Sequence, residues 1–499
     1  MTLLLLVHLG VALVAPWLLR GLRCRGFYVL ALVPAATAVW TALQGPVVLA
    51  GGVITESHRW IPALGIDVSF RIGVLQWVLT LVVSSVGALV LFYCRSYFAD
   101  EEPPLRTGAV LLAFAGAMTG LVTSDDLIGL YVFWELTTVF SYLLVGHNPR
   151  FAANRRAALT ALMVTTFGGL AMLVGIVLLG VRYDTFSLSG VLDAAAATGV
   201  GSAYVVTAVV LLLVGALTKS ALVPFHFWLP GAMAAPTPVS AYLHAAAMVK
   251  AGVYLVAVLA PVFAGTPGWR PVLLTLGAAT MIIGGWRALR QYDIKVLLAY
   301  GTVSQLGFLV VLCGIGTRSA ALGGIALLVG HALFKSTLFL VVGIVDHSAG
   351  TRDLRRLNGV GRRMPVVAGA ALLAGASMAA VPPTLGFVAK EVGFESLTYL
   401  AGGDDVFGPD FGGAEVRTNT RHGYVAECPN VGKFLQNLEF TLPMENEVMG
   451  MILNDGQDPM DAAKEWLTAN PDAAMPWLDG VTTFDGNDAA SALTEALSG

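Results

Sequence analysis

Glu135, Lys219, Lys250, Lys335 and Lys390 stand inside or at the edge of stretches that are otherwise apolar enough to cross a bilayer. An ionisable side chain at membrane depth costs from ~2.5 kcal/mol upward, so such residues face partners, water or a transport path. The chemistry this predicts is movement of protons or cations between buried titratable groups. His244 and His331 lie in the same apolar surroundings. A histidine there can relay protons, because it titrates near neutrality.

Glu135 is close to the centre of DLIGLYVFWELTTVFSYLLVGHN. A carboxyl so placed, with an ammonium nearby, has a charge that depends on its partner's protonation, which is the coupling a proton pump needs. The other possibility is a static ion pair between helices, which stabilises poorly. Lys219 ends an apolar run in ALTKSALVPFHFWLP. Pro224 cannot donate to the carbonyl of Ser220, so the helix is predicted to break beside Lys219, and the freed backbone groups then need protein or water as partners. Pro382 and Pro383, in SMAAVPPTLGFVAKE, predict a second break ahead of Lys390. Two broken helices, each near a lysine, point to an internal repeat of the kind transporters use. His331 and Lys335 are spaced i, i+4 and share a helix face. His244 and Lys250, six residues apart, stand about 240° around a helix and do not.

The elements that must position these groups follow from composition. Of 499 residues 56% are hydrophobic and 12% charged, and the mean hydropathy is +0.75. Such values exclude a soluble globular domain over most of the chain. At ~20 apolar residues per crossing, spans are expected near 2–19, 27–50, 72–94, 107–123, 126–146, 157–181, 203–223, 240–262, 271–289, 296–315, 319–345 and 366–387. The expected fold is therefore an all-α polytopic membrane protein of about 12 spans. The first run lacks a basic segment ahead of it, so it is a spanning helix rather than a signal peptide. Basic residues accumulate on the cytoplasmic side. Arg20, Arg23 and Arg25 follow the first span, Arg150, Arg155 and Arg156 the fifth, and Arg287, Arg290 and Lys295 the ninth. Arg352, Arg355, Arg356, Arg362 and Arg363 follow the eleventh. The N-terminus and the tail are thus expected outside. Cys24, Cys94, Cys313 and Cys428 have no ligand spacing, so no zinc site or disulfide framework is predicted.

From residue 401 onward the chain changes character, with 4 Lys/Arg against 17 Asp/Glu and no long apolar run. The expected domains are a membrane part, 1–400, a Gly/Asp linker, 401–413, and a soluble acidic segment, 414–499. In the last, NEVMGMILNDG and MDAAKEWLTANP read as two amphipathic helices, the second stopped by Pro471. Two short helices have too little core to fold alone. Trp466 and Trp477 are expected to pack rather than to form a cation-binding cage.

The strings FWELTTVFSYLLVG, LTKSALVPFHFWLPGAMAAPTPVSAYLHAAAMVKAG, DIKVLLAYGTVSQLG, HALFKSTLFLVVG and SMAAVPPTLGFVAKE resemble the A-type subunit of the multisubunit Mrp-type sodium/proton antiporters. They are similar, less closely, to the antiporter-like proton-pumping subunits of respiratory complex I. The resemblance runs over about residues 1–400 and implies inverted repeats built on broken helices. It implies a coupled pair at Glu135 and Lys219, a relay through His244, Lys250, His331 and Lys335, and a final lysine at Lys390. The A-type subunit of that family continues past the twelfth span with further helices. Here the chain passes instead into a segment resembling the C-terminal end of glycine betaine/proline substrate-binding proteins of ABC importers.

The resemblance implies a component of a bacterial inner-membrane antiporter exchanging H+ for Na+. Its partners would be other subunits of a hetero-oligomer and the lipid bilayer. Alternatives are a proton-pumping subunit of complex I type and, for the tail, an osmolyte-binding component. Nothing resembles a nucleotide or nucleic-acid site. No cofactor and no catalytic residue is expected, and the residues do not show where sodium binds.

Overall fold

Water cannot satisfy backbone groups within a bilayer, so long apolar runs satisfy their own as helices. The computed structural model describes residues 1–61, 66–99, 102–395, 427–453 and 455–498. They form two compact units, one of Met1–Gly316 with Ala320–Phe394, the other of Thr317–Ser319 with Glu395–Gly499. The first unit opens with α1 (Thr2–Leu22), α2 (Gly26–Leu43) and the short α3 (Gly45–Leu49). After a hairpin of β1 (Ile54–Ile61) and β2 (Ile66–Ile72) come α4 (Val74–Tyr97), α5 (Leu105–Thr123), α6 (Leu127–Val145), α7 (Ala152–Tyr183), α8 (Leu188–Thr198) and α9 (Ala203–Lys219). Short turns α10 (Trp228–Gly231) and α11 (Thr237–Ser240) lead to α12 (Lys250–Phe263), α13 (Trp269–Ala288), α14 (Ile294–Ile315) and α15 (Arg318–Ala349). A single turn, α16 (Val360–Arg363), precedes α17 (Pro365–Met378) and α18 (Leu385–Glu395).

Side-chain caps mark several starts. Asp126 accepts from Gly129 N ahead of α6, Ser202 from Val205 N ahead of α9, and Asp293 from Lys295 N and Val296 N ahead of α14. Each satisfies backbone donors that a helix start leaves open. Among the described residues nine helical stretches are long and apolar enough to cross a membrane, the first, Thr2–Leu43, holding both α1 and α2. Two expected spans are cut short. In place of 203–223 stands α9, of 17 residues, and in place of 366–387 stands α17, of 14.

Both end in the same way. At the end of α9, Ser220 N donates to Ala216 O, Ala221 N to Thr218 O and Leu222 N to Leu217 O, with Ala221 in the left-handed region at φ 52°. At the end of α17, Ala379 N donates to Gly375 O, Ala380 N to Ser377 O and Val381 N to Ala376 O, with Ala380 at φ 59°. A non-glycine residue seldom adopts this conformation, so two copies with one hydrogen-bond pattern reflect an internal repeat. Pro224 and Pro383 each follow the left-handed alanine by three residues.

The expectation of an uninterrupted eighth span is corrected. Ala241–Ala246 winds as a π-helical turn, Ala247 leaves helical geometry at φ −124°, ψ −87°, and α12 starts afresh at Lys250. The angular argument separating His244 from Lys250 therefore does not hold. The all-α expectation also needs one amendment, since β1 and β2 pair antiparallel with Ile54 opposite Ile72. Phe70 and Ile72 are buried, and the chain's N-terminal amine bonds to Glu56 on β1.

The main helix pairs are α1 on α5, α2 on α4, α6 on α7, α7 on α9, α9 on α12 and α13 on α14. In lipid such contacts rest on close backbone approach at small residues. A Cβ on Gly277 of α13 would meet Gly307 O at 2.9 Å, and one on Gly307 of α14 would meet Gly277 O at 2.5 Å. The long α15 reaches α4, where Tyr93 donates its hydroxyl to Leu340 O at 3.2 Å.

In the second unit α19 (Pro429–Asn437), α20 (Leu442–Leu453) and α21 (Pro459–Ala469) are followed by a 3₁₀ stretch, Pro471–Leu478, and α22 (Ala489–Ser498). The two expected helices are α20 and α21. Trp466, Ala474 and Trp477 form the buried centre, backed by Phe434, Leu438 and Met451. Both tryptophans pack, as expected. The core draws on more elements than the two short helices. The linker 401–413 and residues 414–426 lie outside the described residues.

Candidate functional site

Four lysines, Lys219, Lys250, Lys295 and Lys335, have essentially no exposed surface. Each amine donates to a main-chain carbonyl, and no described carboxylate forms an ion pair with any of them within 4.0 Å. Lys219, the last residue of α9, bonds to Trp134 O at 2.9 Å and Thr138 Oγ1 at 2.7 Å on α6. Its Nζ also stands 5.1 Å from the centre of the Trp134 ring. Lys335 uses an equivalent seat on α14: its amine reaches Leu298 O at 3.2 Å, the carbonyl that also accepts from Thr302 Oγ1 at 2.9 Å.

The remaining amines exploit helix breaks. In an unbroken α-helix Ala245 O would receive Val249 N–H, but that donor goes to Leu243 O. The Ala245 carbonyl takes the amine of Lys250 instead. Lys295 bonds to Ala235 O, in the extended link ahead of Pro236 where no helical donor arrives. Lys390, half-buried on α18, reaches back to Met378 O at 2.9 Å. When the two repeated helix ends are matched, Met378 takes the place of Lys219. The second repeat thus brings an amine to its helix end from the half-helix beyond the break.

Glu135 and Lys219 feel each other's charge but are not joined by a direct ion pair. The Glu135 carboxylate turns toward α7, where a Cβ on Gly169 would lie 2.0 Å from Oε1, and this buried oxygen has no hydrogen-bond partner. The amine of Lys219 sits on the carbonyl of the preceding residue, Trp134. His244 and His331 are wholly buried, and neither ring nitrogen of either has a partner. The His244 ring lies 6.0 Å from that of Trp228, and the His331 ring meets Phe334 edge-on at 5.5 Å.

Electrostatic neighbours order these groups. His331 stands within reach of Lys250 and Lys335, Lys335 of Lys390, and His244 of Lys295. Packing bridges the step from Lys219 to Lys250, because Ser220 Oγ donates to Val249 O at 2.7 Å. A Cβ on Gly252 would clash with Ala216 O at 2.1 Å, so only glycine lets α12 sit this close to α9. The structure therefore links Glu135, Lys219, Lys250, His331, Lys335 and Lys390 in turn along the bundle, while His244 neighbours Lys295. Among the described residues no group of three His, Cys, Asp or Glu could hold a metal ion.

Lys295 is the residue the sequence argument missed. Counted among loop charges, it is 1% exposed and lies in the first turn of α14. The available signal was its place in DIKVLLAYGTVSQLG, an otherwise apolar helix start.

Fold and site together define a polytopic membrane protein whose broken helices enclose a string of buried amines and imidazoles. The chain belongs to the family described as NADH:quinone oxidoreductase/Mrp antiporter, transmembrane, which matches residues 124–401, more than half of it. It is 41% identical over 403 residues to the A-type subunit of the Na(+)/H(+) antiporter of Alkalihalophilus pseudofirmus, covering 77% of this chain and 50% of that protein. It is 46% identical over 354 residues to the A/B-type subunit of a probable K(+)/H(+) antiporter of Rhizobium meliloti, covering 71% of this chain and 35% of that one. The chain thus spans a half or less of these relatives. Among solved structures it is similar to the Mrp complex from Dietzia sp. DQ12-45-1b, with a TM-score of 0.75, 39% identity and coverage of 82% of this chain and 44% of that one. Residues 387–469 match the substrate-binding domain of ABC-type glycine betaine transport systems.

Proposed function

We propose that residues 1–400 act as one component of a multisubunit cation/proton antiporter, exchanging H+ for Na+ through the intramembrane relay. The observation that carries this is the row of buried amines seated on main-chain carbonyls rather than on carboxylates. A carboxylate partner would hold an ammonium in one state, whereas a carbonyl seat leaves the amine free to give up or take a proton as its neighbours change. A proton reaching Lys219 shifts its amine between the Trp134–Thr138 seat and Glu135. Charge then passes by His244 and Lys250 toward His331, Lys335 and Lys390, with Lys295 serving His244. Helix breaks supply the polar backbone groups that water needs at this depth.

The chain is on this view part of a secondary transporter and not an enzyme, working with other subunits in a bacterial cell membrane. The N-terminus and the acidic segment beyond the 401–413 linker face outside, by the placement of the basic clusters. Sodium is the favoured cation from the resemblance, and the likeness to a probable potassium/proton antiporter makes potassium the first competitor. The test is proton exchange in everted vesicles containing the chain and its co-expressed partner subunits, driven by Na+ or K+ pulses. Sodium-dependent exchange should vanish in Glu135→Ala with the protein still in the membrane; unchanged exchange in that variant would overturn the relay.

A further inference from the structure

Lys295 is buried at the start of α14, yet a cluster of partly exposed charges is built around that helix start. Asp293 caps the helix through Oδ1, which accepts from Lys295 N at 2.8 Å and Val296 N at 3.2 Å. Its Oδ2 holds Arg352 Nη2 at 3.2 Å. The same guanidinium brings its Nε to 3.9 Å from Asp346 Oδ2, in the last turn of α15. The side chains of Arg352, Asp293 and Asp346 are 36%, 33% and 34% exposed, so the cluster meets water. Backbone bonds fix it in place: Ile294 N donates to Arg352 O at 3.0 Å and Leu354 N to Tyr292 O at 2.9 Å, which lays the chain after α15 along the start of α14.

Two negative charges and one positive charge thus act on the Lys295 amine from the surface. On its buried side the amine donates to Ala235 O and neighbours His244. A simple clasp between α14 and α15 needs only one ion pair. Here one arginine is shared between carboxylates on two helices, beside a buried amine that has no ion pair of its own. Charges so close to a desolvated amine are weakly screened and govern how readily it holds a proton. We infer that Asp293, Arg352 and Asp346 form the port at which Lys295 exchanges protons with surface water, as positioning residues whose balance of charge sets that exchange.

The step is a plain proton transfer. Water gives H+ to the neutral amine, the ammonium returns it, and the three positioning residues keep their own protonation. That the proton continues from Lys295 to His244 rests on the relay proposed above, whereas the port itself does not.

The test follows Lys295 in the full chain in nanodiscs, with pulses of acetic anhydride at a series of pH values and acetylation of Lys295 read by mass spectrometry; only the neutral amine reacts. Asp293→Asn keeps the cap, since asparagine caps as well as aspartate, but removes a negative charge. It should lower the midpoint pH and speed acetylation about threefold at a fixed pH below it. Asp346→Asn should act in the same direction from the other helix. Arg352→Gln should raise the midpoint, Arg352→Lys should restore it, and Asp293→Asn combined with Arg352→Gln should return it close to wild type. A clasp without a charge role gives no shift, or shifts of one sign, and either result overturns the port. So does a Lys295 that is acetylated in no variant at any pH. Thermal unfolding of the same samples identifies a misfolded variant, for which Asp346→Asn replaces Asp293→Asn and Arg352→Met replaces Arg352→Gln. Opposite shifts in a chain whose wild-type vesicles, with partner subunits, exchange no cation would sink the relay proposal and leave the port standing.

Discussion

Replacing Lys219 by methionine keeps the length of the side chain and removes its charge. The amine makes two hydrogen bonds, to Trp134 O at 2.9 Å and Thr138 Oγ1 at 2.7 Å. Hydrogen bonds to a charged group contribute about 1.5–3 kcal/mol each. Against that loss stands the desolvation of a wholly buried ammonium, still several kcal/mol after relaxation. The acceptors are not orphaned, because Trp134 O continues to receive Thr137 Oγ1 at 2.7 Å and Thr138 Oγ1 at 3.2 Å. The two sides nearly cancel, and Lys219→Met should unfold within about 1–2 kcal/mol of wild type. Lys219→Ala also opens a cavity and should cost about 2–5 kcal/mol. Thermal unfolding of the purified proteins measures both, and exchange in everted vesicles measures the consequence for transport. The expected result is a methionine variant of near-normal stability with no proton exchange. Normal exchange would refute the role of the amine, and a methionine variant less stable than the alanine variant would refute the energetic argument.

Gly169→Ala places a methyl group 2.0 Å from Glu135 Oε1 and must displace the carboxylate; exchange should fall at least about tenfold while overpacking costs about 1–3 kcal/mol, and unaltered exchange would show that the carboxylate does not act from this position. Burial alone would raise the Glu56 carboxyl, but hydrogen bonds from the N-terminal amine, Thr2 and His58 outweigh it and bring it down to about 2. A lowered folded value means that the stabilisation is full above the ordinary glutamate value of about 4.3 and is lost as pH falls through about 2. The protection of the hairpin amides, relative to their intrinsic exchange at each pH, should therefore stay high and constant from neutral pH down to about 4.5 and fall below it, whereas Glu56→Gln should show low protection already at neutral pH. Trp466 is 7% exposed and donates its indole N–H to Glu447 Oε2 at 2.7 Å. Trp466→Ala should cost about 3–5 kcal/mol, enough to expose the small second unit to protease; equal protease resistance would show that its core lies elsewhere.

Much of the membrane part was legible in the chain. The apolar runs predicted α4 to α7 and α13 to α15 to within a few residues, because the cost of leaving a peptide group unpaired in lipid acts locally and leaves a helix as the solution. Pro224 and Pro382–Pro383 marked the two breaks for an equally local reason, the missing donor and the ring clash. Charged residues in apolar runs identified Glu135, Lys219, Lys250, Lys335 and Lys390, since their cost at that depth demands an explanation wherever they occur.

Partner choice was not legible. Whether Lys219 meets a carboxylate or a carbonyl depends on how α6, α7 and α9 approach one another, which Gly169 and its neighbours control across helices rather than along one. The interruption ahead of Lys250 has no proline at that point; it arises where the π-helical turn at Ala241–Ala246 is wedged among packed helices, with Ser220 holding Val249 O. Lys295 looks like a loop charge in one dimension and becomes a buried amine because the turns between α9 and α12 fold over the start of α14 and offer it Ala235 O. Local free energies are written into the order of residues, whereas burial and hydrogen-bond partners are properties of surfaces that meet only once the chain has folded.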